Sequence, residues 1–239
     1  MGKLYRYELH RLMLSKFYLG LLVILLWYGW QELGTVTILG VCNTAPFSPW
    51  SFGSFLSQLQ SVLCIALLFF LWNQCRPSAR QVESLSSATA TDPRTYRLIK
   101  ILAAATAWLV LACLAAALGL VFLASLFASR FSAVSLLLPT ALTLLPPAIF
   151  FFGLGLLVGL RRPALLFALM ALALGLGYAP LPLWADVYGK TLFTYYPSSL
   201  GMLDPPFCLP EQALWGKVGL AALGLTLLLL CLRRSKHVQ

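Results

Sequence analysis

The sequence predicts an all-α membrane protein with six transmembrane helices, and three observations predict it. The chain of 239 residues is 60% apolar, and only 10% of it is charged. Soluble domains carry about 25% charged residues, and a soluble fold could not keep so much apolar surface from water. The mean hydropathy is +0.86. Finally, the apolar residues fall into six runs of about 20, the length a helix needs to cross a hydrocarbon core about 30 Å thick.

The runs are residues 17–39, 55–75, 101–127, 134–160, 164–183 and 213–232. The third contains no charged residue. Ahead of the first, Leu4 to Phe17 reads as an amphipathic helix. Tyr5, Leu9, Leu12 and Lys16 follow helical spacing, with Glu8, Arg11 and Ser15 on another face. Such a segment, residues 1–16, lies in the membrane interface. Its basic region runs to Lys16 with no small-residue cleavage site after the apolar stretch, so the first span is expected to be retained rather than cleaved as a leader. The fourth run holds Pro139, Pro146 and Pro147, which remove backbone donors and predict a kink or break. Gly155 and Gly159 follow as a GxxxG pair suited to close helix contact.

Charge orients the spans. Fourteen of the 17 basic residues lie before the first run, between the second and third, between the fourth and fifth, and after the sixth. Only Arg130, Lys190 and Lys217 belong to the alternate segments. Cytoplasmic loops are the ones enriched in Lys and Arg, so both termini are expected in the cytoplasm. The net charge of +10 is thereby explained without nucleic acid, because the basic residues form short clusters between apolar runs rather than one patch.

Chemistry is sparse. The chain has no HExxH and no GxSxG, and His10 and His237 lack partners at metal spacing. Gly189-Lys190-Thr191 imitates the end of a phosphate-binding loop, but Trp184 stands where the loop needs its first glycine. No catalytic, cofactor or metal residues are expected. Glu32, near the outer end of the first span, reads as an interfacial carboxylate. The outer stretch 180–212 is rich in proline and aromatic residues. Glu32, Trp184, Tyr195 and Tyr196 are its candidates for an outer gate or pathway. The six cysteines show no CxxC spacing, and Cys42 and Cys208 share the outer side. Spacing leaves both a disulfide and two free thiols open there.

The connection 76–100 has more organisation than a solvated loop needs. Pro77 and Ser78 suit a helix start, Val82 and Leu85 form an apolar edge, and Arg80 and Glu83 form a charged one. Pro93 ends the element. A short two-faced helix of this kind suits a groove on a soluble partner.

The RYELHRLMLSKFYLG start, the NTAPFSPWSFGSFLSQL entry to the second span and the ARQVESLSSATATDPRTYRLIK connection resemble a permease subunit of the ABC-2 type exporters. These are the membrane halves of ATP-binding-cassette transporters. The resemblance implies an elbow helix near residues 4–16 and a coupling helix near 77–89 that sits on a separate ATPase subunit. Arg80, Val82, Glu83 and Leu85 would make that contact, with Arg161 and Arg162 in a second cytoplasmic turn. It further implies short re-entrant helices before the last span, a second permease copy (identical or related), and the plasma membrane of a bacterium. ATP and Mg would belong to the partner, not to this chain. The expected function is ATP-driven export of an amphipathic or hydrophobic cargo such as a peptide, drug or lipid. The alternative is a non-transporting anchor or sensor that recruits a soluble partner through the same loop.

Overall fold

The computed structural model describes residues 2–41, 43–76, 93–128, 130 and 132–234. Eight α-helices account for most of them: α1 (Gly2–Met13), α2 (Lys16–Thr35), α3 (Pro49–Cys75), α4 (Pro93–Phe127), α5 (Leu137–Arg161), α6 (Leu165–Leu176), α7 (Tyr196–Ser199) and α8 (Glu211–Arg234). Five stretches are long and apolar enough to cross a membrane: Lys16–Leu39, Pro49–Cys75, Leu98–Phe127, Val134–Arg161 and Glu211–Leu232. The protein is an all-helical membrane protein.

Local sequence sets the helix starts. Ser15 caps α2 by accepting from the Tyr18 amide at 3.2 Å, which separates it from α1 by a tight turn. Ser48 caps α3, and Pro49 occupies its first turn, where a missing N–H costs nothing. The helix therefore begins six residues before the apolar run at 55. The cap outweighs the mixed composition of Trp50 to Ser54.

The helices alternate in direction. At the basic end lie the starts of α2, α4 and α6 and the finishes of α3, α5 and α8; the far end holds the rest. At the basic end Gln74 of α3 donates to the Lys100 carbonyl of α4 at 2.8 Å. At the far end Ser54 of α3 meets Thr194 at 3.1 Å. α3 is the hub: 78% of its apolar window is buried, against 17% for α8. Around it pack α2, α4, α5 and α6. The side chains Leu56, Leu59, Leu63, Leu68 and Leu71 are wholly enclosed.

The fourth run does not break. α5 continues from Leu137 to Arg161 through Pro146 and Pro147. Pro139 sits in its first turn, where the helix has no donor to lose. Beside the inner prolines, Gln60 of α3 donates from Nε2 to the Leu144 carbonyl at 3.3 Å, so a neighbouring helix supplies a donor there. Gly155 and Gly159 face α3, where an added Cβ would lie 2.7 Å from Leu71 and 3.0 Å from the Cys75 sulfur. Another glycine pair brings α5 and α8 to backbone contact: a Cβ on Gly153 would run into the Gly224 carbonyl, and one on Gly224 into Ile149.

The break comes in the fifth run instead. α6 has 12 residues, about 18 Å at about 1.5 Å per residue, well short of a hydrocarbon core of about 30 Å. Its last turn leads into Gly177, which abuts Ser61, midway between Pro49 and Cys75 on α3. Gly175, Gly177, Pro180 and Pro182 supply the reason, since neither residue type sustains a helix. From there the chain climbs to the far end through a π-helical turn (Thr191–Tyr195) and α7.

Candidate functional site

Two regions bring polar side chains together inside the apolar bundle. The first is a clasp at the basic end. α1 packs along the start of α4. Glu8 is only 3% exposed; it pairs with Arg11 at 2.8 Å and accepts from the Tyr96 hydroxyl at 3.4 Å. The Lys100 ammonium stands 4.4 Å from the centre of the Tyr96 ring. Two turns away from Tyr96, Thr106 meets the Tyr5 hydroxyl at 2.8 Å. A buried carboxylate is costly unless paired and hydrogen-bonded, and Glu8 has both. The helical spacing placed Glu8 on the face away from Tyr5 and Leu9. In the fold it is buried against α4, and the signal available was its place as the sole acid among Lys3, Arg6, Arg11 and Lys16.

The second region is the cap formed by residues 177–210. Asp186 organises it. One carboxylate oxygen accepts from the amides of Gly189 (2.8 Å) and Lys190 (3.1 Å), and the other from Leu192 (3.0 Å). Gly189 takes φ of +91°, which a side chain would disfavour, and this lets the turn wrap the carboxylate. Lys217 of α8 is 3% exposed and donates to the Val187 carbonyl at 2.8 Å, beside Asp186. Lys190 donates back to Gly177 at 3.1 Å, and Thr191 to Leu181 at 2.6 Å. Tyr188, 1% exposed, donates to Ala173 of α6 at 2.7 Å. These bonds satisfy carbonyls left open where the helix stops.

Aromatic packing locks the cap onto α3. Trp50 is fully buried, donates from Nε1 to Pro205 at 2.9 Å, and packs against Phe193, Tyr196 and Phe207. Beyond it, Asp204 accepts from the Ala45 amide at 3.0 Å and donates from its own amide to Asn43 at 2.9 Å. The cap is thus tied to the turn between α2 and α3.

The residues expected to form an outer gate are dispersed over this region. Tyr196 is half-buried against Trp50, whereas Tyr195 and Trp184 are 53% and 66% exposed. Trp184 borders Gly216 of α8 through its backbone. Glu32 is half-buried on α2 with Tyr28, one turn earlier, as its partner. No hydrogen bond or ring contact joins any two of the four among the described residues. Asp186 and Lys217 are what the sequence reading passed over. A charged residue inside the last apolar run was the one available signal.

Of the expected partner contacts, Arg80, Val82, Glu83 and Leu85 lie outside the described residues, as does Cys42 of the open disulfide question. Arg161 and Arg162 are exposed at the basic end. The Arg162 amide donates to Val158 at 2.9 Å, and its carbonyl accepts from Leu165 at 3.0 Å, making a tight turn between α5 and α6. Among the described residues, no group of three or more His, Cys, Asp or Glu side chains is placed to hold a metal ion.

Compared with protein-family models, curated proteins and solved structures, the chain shows no match to any of them. Its function has to be read from its own residues and architecture.

Proposed function

We propose that the chain is the permease subunit of an ABC-2 type exporter in a bacterial plasma membrane, working with a second permease copy and separate ATPase subunits. The observation that carries the reading is the order of elements. An amphipathic helix strapped to the bundle precedes two long helices, a basic connection and two more long helices. A half-length helix with a cap of short helices then leads to the final span. This is the layout that the sequence resemblance implies, with α1 as the elbow and α6 with the cap as a re-entrant fifth segment. Counting that segment as the fifth of six returns the chain to its starting side, and the charge bias makes that side the cytoplasm.

In this reading the ATPase subunit seats the 77–89 helix through Val82 and Leu85, with Arg80 and Glu83 fixing its register. Arg161 and Arg162 flank the same surface. Closure of the ATPase pair on ATP displaces that helix, and α3 and α4, which it joins, move with it. The glycine-lined α5–α8 seam lets that pair travel as a unit. Nucleotide drives transport because it favours one arrangement of the bundles over the other. The lining available to cargo is apolar and aromatic, which fits an amphipathic or hydrophobic molecule.

The test is co-purification with an ATPase subunit after Glu83→Lys and Leu85→Asp. Loss of a central contact weakens association by about 2 kcal/mol, roughly 30-fold. Both the complex and its cargo-stimulated ATPase activity should fall accordingly. Unchanged assembly and activity would sink the coupling assignment. Retained assembly and wild-type partner binding without any cargo efflux would favour an anchor or sensor.

A further inference from the structure

The bundle has a groove that the transport reading does not use. α4 rests on α3 and α8 rests on α5, and the space left between these two pairs is a groove of about 310 Å³. Its walls include Leu102, Ala105, Trp108, Leu145 and Leu225, and Thr106 is its one hydroxyl-bearing residue. That hydroxyl is already occupied by Tyr5 of α1. Leu102, Leu145 and Leu225 are about half exposed, so the groove opens sideways into what surrounds the helices. In a membrane protein at this depth, that is hydrocarbon.

The groove is confined to one leaflet. On α4 it runs from Leu102 to Leu109 and on α5 from Leu145 to Phe152, about 10 Å along each helix. All of these lie towards the basic end of their spans, and half of a hydrocarbon core is about 15 Å. Basic residues gather around the mouth. Lys3 and Arg6 are exposed on α1, which reaches the groove wall through Tyr5. Arg94 and Arg97 belong to the first turns of α4, and Arg233 and Arg234 to the last turn of α8. An apolar slot one leaflet deep with cations at its headgroup end has the chemistry of a lipid site.

We propose that this groove holds an acyl chain of an anionic phospholipid from the leaflet at the basic end, with its phosphate against the basic residues at the mouth. The inference depends on the helices crossing a membrane and not on the identity of the partner ATPase. It therefore stands or falls separately from the exporter reading.

Trp108 makes the site measurable. It lines the groove and is held by its Nε1 bond to the Leu63 carbonyl at 3.1 Å. The full chain is reconstituted in phosphatidylcholine nanodiscs containing a minor fraction of chain-brominated phosphatidylglycerol or, separately, chain-brominated phosphatidylcholine. Bromine quenches nearby indoles, and the Trp108 signal is the difference between the chain and its Trp108→Phe variant. One basic residue near a headgroup enriches an anionic lipid about fivefold. Brominated phosphatidylglycerol should therefore quench Trp108 at about one fifth of the concentration that the phosphatidylcholine analogue needs. The preference should shrink towards parity in Lys3→Gln/Arg6→Gln. Ala105→Phe and, independently, Leu225→Phe should abolish the quenching by filling the slot from opposite walls; Leu225 is exposed enough to be changed without disturbing the core. Equal quenching by the two lipids would overturn the headgroup assignment. Quenching that persisted in both filled variants would overturn the acyl-chain seat. No quenching by either lipid would mean that a protein helix covers the groove, which overturns the proposal as a whole.

Discussion

The two ends of the bundle solve opposite problems. At the far end the charged residues are inside. Asp186 is used up by three backbone amides, Lys217 by a carbonyl and Asp204 by the α2–α3 turn. At the basic end most charges are outside: Lys3, Arg6, Arg161 and Arg162 are exposed, and only Glu8 and Lys100 are enclosed. Buried charge bonded to backbone fixes one conformation, because moving either partner strands the other in an apolar medium. Exposed charge commits the protein to little and leaves it available to a partner or a headgroup. The difference teaches where to look for motion. The far end is built as one piece, and the basic end is strapped.

The largest effect should come from breaking the far end at its organising residue. Asp186→Ala leaves the amides of Gly189, Lys190 and Leu192 without an acceptor. An unsatisfied buried group costs about 1–3 kcal/mol, so the cap should lose about 3 kcal/mol or more. Thermal unfolding in detergent should show a lower midpoint, and protease should cut within 177–210 while the long helices persist. Asp186→Asn keeps an oxygen for two of the amides and should lose less. If the alanine variant unfolds like the parent, the cap is held by its aromatic packing and the contrast between the ends weakens.

A smaller effect is expected at the strap. Glu8→Gln removes the charge that pairs with Arg11 but keeps an oxygen that can accept from Tyr96. Arg11 is 43% exposed on its side chain, so solvent screens much of that pair, and a loss of about 1 kcal/mol is expected. It should be local. Amide exchange should quicken along α1 and leave the cap untouched. Faster exchange at both ends would show that the strap and the cap are coupled through α4 and α3, which would sharpen the exporter reading. If α1 kept its protection, Tyr5 and Leu12 would be holding it by packing alone.

These experiments bear on what was legible in the sequence. Hydropathy located all five long helices, because a span depends on composition summed over many residues. It failed on the fifth run for the same reason. Averaging over 164–183 let the apolar content outweigh Gly175, Gly177, Pro180 and Pro182, although each was visible as a helix breaker. The opposite error was made on the fourth run. Pro146 and Pro147 are breakers by local rule, yet α3 packs along α5 and Gln60 donates beside them, so the helix continues. The cap was legible as proline- and aromatic-rich but not as a packed unit. Its key bonds join Lys217 to a backbone atom 30 residues away and Trp50 to one 155 residues away. No periodicity encodes such pairs. The partner-facing residues Arg80 to Leu85 remain a matter for the binding experiment, since they lie outside the described residues.

The smallest effect, and the one whose sign is most informative, concerns the residue between the two ends. Gln60 is fully enclosed midway along α3. Its Nε2 has an acceptor in Leu144, whereas its Oε1 is the one buried side-chain acceptor without a partner among the described residues. Gln60→Leu gives up one bond, worth about 1 kcal/mol, and removes an unsatisfied acceptor that costs about as much or more. The net change should lie within about 1 kcal/mol of zero and can be stabilising. Gln60→Glu should be far worse, because it trades the amide donor for a charge. Paired unfolding measurements on the two variants would decide it. A loss above about 2 kcal/mol on Gln60→Leu would mean that Oε1 is satisfied in the membrane by a donor such as a bound water. The middle of the bundle would then be wetter than either of its ends.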